Sequence, residues 1–239
     1  MSAPRTEIFD DAGQLASRAA GWIAGLIAAR NGVFRIALTG GETPRALYRE
    51  LGSRFRDSVN WANVQFFWGD ERFVPPDDPT SNYRMARETL LVQIPVPEKN
   101  VHPIPTGGDP EEAALAYEAA LKNAYGAGRL EAARPLFDLV LLGLGDDGHI
   151  CSLLPGSAVL DERTRWTAAV AHGRPETRIT LTYPPIQSSR ITAFLVVGGK
   201  KAEAVRTVRA GDSALPGARL RPDGELVWLL DRAAAKFIR

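Results

Sequence analysis

The stretch Leu139-Val140-Leu141-Leu142-Gly143-Leu144-Gly145-Asp146-Asp147-Gly148-His149 decides the fold. Its first four residues are apolar without alternation, whereas a strand with one wet face alternates apolar and polar side chains. A short, wholly apolar run followed by glycines is the pattern of a strand covered on both faces, which is the environment of a parallel sheet between helices. Phe194-Leu195-Val196-Val197, followed by Gly198-Gly199, repeats it. Around these two runs, residues 33–39, 64–68, 166–170, 178–182 and 226–230 also read as strands. Helical patterns fall at 11–30, 44–51, 81–93, 110–125, 200–210 and 231–238. Strands and helices alternate, so the chain is expected to form an α/β protein, a Rossmann-like three-layer sandwich with a mostly parallel sheet. The proline-rich pieces at 73–79, 94–105 and 184–185 read as loops, and no linker or repeat divides the chain. A single domain over residues 1–239 is expected.

The composition narrows the function classes. Of the 239 residues 45% are apolar, and the net charge is +1 with no Lys/Arg block of the kind that neutralises a phosphate backbone. Nucleic acid and membrane surfaces are therefore not expected partners. The most apolar stretch, residues 19–29, is short and glycine-broken, and no targeting pattern precedes it, which points to the cytoplasm. One cysteine, Cys151, gives no disulfide framework, and the three histidines at 102, 149 and 172 have no zinc spacing. No metal and no cofactor are expected.

In an open parallel sheet, ligands bind beyond the carboxyl ends of the strands. After the strand at 33–39 comes Thr39-Gly40-Gly41-Glu42-Thr43-Pro44. Here Gly40 and Gly41 permit a tight turn, Thr43 is a good helix N-cap and Pro44 suits the first helical position. The free N–H groups of such a turn suit a lone phosphate, although an ordinary strand-turn-helix joint has the same composition. After the strand at 64–68, Asp70-Glu71-Arg72 put three charges at the same edge. Arg72 is suited to grip an anionic oxygen in bidentate fashion, and Asp70 to orient a base or sugar hydroxyls. A solvated turn is the plain alternative.

The loop 143–149 matches G-x-G-x-x-G, but Asp146 and Asp147 would stand where a pyrophosphate must approach, and Pro155-Gly156 cuts short the helix that should follow. It presents instead His149, flanked by glycine and acids, as a general base. Ser152 and Cys151 lack a G-x-S-x-G elbow, and covalent catalysis is not favoured. Arg178 on its strand and Lys200 in Gly198-Gly199-Lys200-Lys201 add cations at the same edge. With Thr43 and Arg72 they would make a pocket for an anionic sugar.

Taken in order, these motifs resemble the 6-phosphogluconolactonase family. They are Thr-Gly-Gly-Glu-Thr-Pro at 39–44, Trp-Gly-Asp-Glu-Arg at 68–72 with Ser81-Asn82-Tyr83, and Gly-Leu-Gly-Asp-Asp-Gly-His at 143–149. Arg-Ile-Thr-Leu-Thr from 178, Gly-Gly-Lys at 198–200 and a last strand ending near Asp231 follow. The resemblance runs from about Phe34 to Lys236. It implies a Rossmann-like fold, His149 as the base that activates water, and Arg72, Arg178 and Lys200 as contacts for the phosphate and acidic parts of the ligand. The implied partner is a phosphosugar lactone, and the implied assembly a monomer or small homo-oligomer. Glu42 stands where the family commonly has serine. Glucosamine-6-phosphate deaminases share the Gly-x-Asp-Gly-His loop, but they follow the Asp-Glu pair with tyrosine and carry a glutamate five residues after the histidine; here those positions are Arg72 and Leu154. A sugar-phosphate-sensing regulatory domain is a third reading, without a helix-turn-helix segment here to support it. Whether Asp70, Asp147 or neither orients His149 stays open at this level.

Overall fold

The computed structural model describes residues 4–211 and 214–238. Nine strands and six helices alternate along it: β1 Arg5–Phe9, α1 Ala12–Ala29, β2 Phe34–Leu38, α2 Glu42–Arg54, β3 Val64–Trp68, β4 Asp70–Arg72, α3 Asn82–Ala86, α4 Pro110–Tyr125, β5 Phe137–Leu142, β6 Thr167–Val170, β7 Arg178–Leu181, α5 Tyr183–Gln187, β8 Ser189–Val196, α6 Ala202–Arg209 and β9 Glu225–Asp231. Six strands form one wholly parallel sheet in the order β1-β9-β8-β5-β2-β3, and the remaining three form an antiparallel sheet, β4-β7-β6. The expected Rossmann-like sandwich is therefore present. β5, whose apolar run predicted two covered faces, is buried at every position. Among the described residues no helix is long and apolar enough to cross a membrane.

Several local expectations are corrected. The strands expected at 166–170 and 178–182 form, but they lie outside the parallel sheet: β7 pairs with β4 on one side and with β6 on the other. β1 was not expected, because the chain there has no apolar run and only Phe9 of the strand is buried; it forms by adding to β9 at the sheet edge. The helix expected at 231–238 is a run of turns, since Asp231 is still the last residue of β9 and spends its carboxylate on the N–H groups of Gly198 and Ala234. α3 gives way at Arg87–Leu91 to a wider π-helical turn. Pro184 and Pro185 sit in the first turn of α5, where a missing N–H costs nothing.

The two sheets meet at one residue. Gly69 donates its N–H to Leu38 O at 2.8 Å, and its carbonyl accepts the Leu181 N–H at 2.8 Å. The chain thus passes from β3 in the large sheet to β4 in the small one through a single peptide. The neighbouring strand ends are held by two fully buried tyrosines. The Tyr48 hydroxyl accepts from Thr39 N–H at 3.0 Å and donates to Thr39 O at 2.9 Å. The Tyr117 hydroxyl does the same for Trp68, at 2.8 and 2.9 Å. Each satisfies both backbone groups where the ladder ends, and burial pushes both phenols well above their ordinary pKa. Tyr48→Phe and Tyr117→Phe leave a buried N–H and C=O unpaired, so each is expected to cost about 1–3 kcal/mol in urea unfolding. Unchanged midpoints would show that these latches carry no stability.

Candidate active site

The carboxyl ends of β2, β3, β5 and β8 open onto a cleft of about 290 Å³, lined by Thr39 to Pro44, Asp70, Arg72, Asn82, Gly143 to Gly145, His149, Cys151, Arg178 and Lys201 together with the end of β8. At its floor α2 begins at Glu42, with Gly41 as N-cap at φ +105° and no side-chain cap. The expected assignment of Thr43 as cap is corrected: Thr43 lies inside the first turn. The consequence is a helix end whose first N–H groups have no internal partner and face the cleft. Gly40 is required by contact, because a Cβ there would lie 1.9 Å from Asn82 Oδ1. The Glu42 side chain points out to solvent and pairs with Arg45 at 3.1 Å.

On one wall, Arg72 and Arg178 are register partners across β4 and β7. Arg72 donates to Thr80 O, and Arg178 meets Glu176 at 3.4 Å, yet the Nε of each guanidinium is buried without a partner among the described residues. Burial, followed by the charge of Arg72, lowers the Arg178 pKa. Two adjacent cations with unspent donors are a site that an anion would stabilise. The acids beside them are already engaged. Asp70 accepts from Ser152 Oγ at 2.6 Å. Glu71 accepts from the N–H groups of Arg72, Asn82 and Tyr83 at 2.7 to 2.8 Å and from Ser81 Oγ at 3.0 Å. Burial still pushes the Glu71 carboxyl above its ordinary range despite those donors.

On the opposite wall, His149 Nδ1 lies 2.5 Å from Asp147 Oδ1. Asp147, not Asp70, is the acid in contact with the ring. Burial would raise the Asp147 carboxyl, but the hydrogen bond and charge of His149, with Arg174 at 3.6 Å, hold it below the ordinary carboxylate range. With Nδ1 committed, Nε2 has no protein partner among the described residues. This arrangement needs Gly145, because a Cβ there would lie 1.9 Å from His149 Nδ1. The remaining candidates separate. Ser152 is buried and spent on Asp70, while burial and then the charge of Asp70 raise the Cys151 thiol far from thiolate character. Lys200 is exposed and does not line the cleft; its neighbour Lys201 does. Sequence reasoning passed over Lys201 and the positioning role of Asn82, which donates to Asp70 O at 2.9 Å. Among the described residues no three His, Cys, Asp or Glu side chains come together to hold a metal ion.

Fold and cleft define a Rossmann-like α/β protein in which two arginines with unpartnered donors and an uncapped helix start share a cleft with a carboxylate-held histidine. Residues 10–228 match the family described as Glucosamine-6-phosphate isomerases/6-phosphogluconolactonase, and the chain belongs to that family. It is 42% identical over 217 residues to the 6-phosphogluconolactonase of Synechocystis sp., covering 88% of this chain and 87% of that one. It is 41% identical over 242 residues to the 6-phosphogluconolactonase of Mycobacterium tuberculosis, covering 96% of each. The solved 6-phosphogluconolactonase from Trypanosoma cruzi superposes with a TM-score of 0.87 at 31% identity, over 100% of this chain and 98% of that one.

Gly145→Ala is expected to break the His149–Asp147 contact, because ring and methyl cannot share the space. The downfield His149 Hδ1 resonance should disappear from the NMR spectrum while stability falls by no more than about 3 kcal/mol. Retention of that resonance would mean the glycine is not what admits the ring.

Proposed function

We propose that this chain hydrolyses 6-phospho-D-glucono-1,5-lactone to 6-phospho-D-gluconate in the oxidative pentose phosphate pathway of the cytoplasm, with His149 activating the attacking water. The reading is carried by the His149 ring, fixed through Nδ1 to Asp147 with Nε2 free, in one cleft with a cluster of anion-binding groups. The names of the curated relatives support the same substrate. The substrate phosphate docks on the turn of Gly40, Gly41 and Thr43, with Arg178 and Lys201 as counter-charges. This remote binding energy positions the lactone carbonyl. Neutral His149 takes a proton from water through Nε2 as the oxygen attacks C1, and Asp147 keeps the ring in the tautomer that allows it. Arg72 stabilises the oxyanion that develops on the carbonyl oxygen. The C1–ring-oxygen bond then breaks, and the leaving oxygen takes the proton from His149. Asp70 holds the β4 end of the wall through Ser152 and Asn82. Leu154, buried where the deaminases carry a glutamate, has no proton to shuttle, which favours lactone hydrolysis over amine release.

His149→Ala is expected to lower kcat roughly a hundredfold or more, with an unchanged melting profile. Turnover like that of the parent would remove the histidine from the mechanism. The phosphate contacts are tested separately. Arg178→Ala and Lys201→Ala should mainly raise KM by about tenfold to a hundredfold, as expected for a charged hydrogen bond worth ~1.5–3 kcal/mol, while Lys200→Ala leaves KM near that of the parent. Arg72→Ala should mainly lower kcat. A larger KM effect at Lys200 than at Lys201 would contradict this docking.

A further inference from the structure

The loop after β5 carries two successive acids, and they do different work. Asp147 holds the His149 ring, whereas Asp146 Oδ1 meets Lys201 Nζ at 2.7 Å. Lys201 lines the cleft with its side chain 30% exposed, and Asp146, 64% exposed, lies outside that lining. The backbone that carries the lysine is fixed. Its backbone N–H bonds Gly198 O at 3.0 Å, and the Gly198 N–H is fixed in turn by both oxygens of buried Asp231, at 3.0 and 3.1 Å. With that anchor fixed, the ammonium pairs with Asp146 here, and from the same position on the cleft lining it would have to leave that acid to meet an anion at the α2 N-terminus.

We infer that Asp146 sets the anion affinity of the cleft by competing with the bound phosphate for the Lys201 ammonium. This rests on the docking proposed above. A phosphate near Lys201 meets the Asp146 carboxylate as a like charge unless that side chain swings into solvent and gives up its ion pair. Both routes subtract from binding, so the sign does not depend on which is taken. The cost is small, as for any exposed pair, and it falls on product as well as substrate. Hydrolysis adds a carboxylate to the ligand, and the return of Asp146 to Lys201 then assists release.

The test is calorimetric titration of 6-phosphogluconate into the full chain at low ionic strength, where exposed charges are least screened. Asp146→Asn should tighten binding by about two- to fivefold, within the range of a surface ion pair. Lys201→Met should weaken binding about tenfold or more. In the double variant the Asp146→Asn gain should vanish, because its route is the lysine. Parent-like or weaker binding by Asp146→Asn, while Lys201→Met binds weakly, overturns the inference and leaves the docking intact. The same tightening with Lys201 removed overturns it too, since the acid would then act without the lysine. Parent-like binding by Lys201→Met overturns both the docking and the inference.

Discussion

The Gly69 peptide is the constraint on which the rest depends. Its N–H belongs to the large parallel sheet and its carbonyl to the small antiparallel one. Because a single residue makes the change, the charged residues of β4 begin at the carboxyl edge of β3, where a parallel α/β sheet binds its ligands. Their partners on β7 are brought to the same place, which is how Arg72 and Arg178 become register neighbours although 106 positions apart in sequence. Glycine suits the junction, because a Cβ would lie 2.9 Å from Cys151 Sγ and force that side chain to move. Cys151 itself stands at φ +47°, so the loop after His149 is folded tightly against this crossing point.

A second regularity follows from charge. Four of the acids near the cleft each have their own donor: Asp70 with Ser152, Glu71 with three N–H groups and Ser81, Asp147 with His149, and Asp146 with Lys201. None of these four forms an ion pair with Arg72 or Arg178; Glu176 meets Arg178 at 3.4 Å, yet the buried Nε of each guanidinium stays unpartnered among the described residues. A cleft built this way keeps net positive donors in reserve although acids and bases nearly balance over the whole chain. The uncapped first turn of α2 adds to that reserve without adding any charge.

Much of this was legible in the sequence. Unbroken apolar runs at 139–142 and 194–197 pointed to a sheet buried on both faces. Glycines after the strands marked the ligand edge, and His149 stood out by its surroundings. What escaped has physical reasons. Lys200 and Lys201 are adjacent, and only the 3₁₀ turn fixed by Asp231 decides which one faces inward. Asp70 and Asp147 are both close to the site, and sequence carries no distance to an imidazole ring. Thr43 has the chemistry of a cap, but Gly41 adopts the conformation that starts the helix earlier. β1 has no periodic signal because it sits at an edge and borrows its stability from β9.

The central claim is that a tethered histidine and a phosphate cradle in one cleft are tuned for opening a lactone rather than expelling an amine. The most direct measurement offers both substrates to the same protein. Freshly prepared 6-phosphogluconolactone is followed through a 6-phosphogluconate dehydrogenase couple, above its spontaneous opening, beside ammonia release from glucosamine 6-phosphate. The account predicts accelerated lactone hydrolysis and no ammonia; ammonia release without lactone hydrolysis would contradict it.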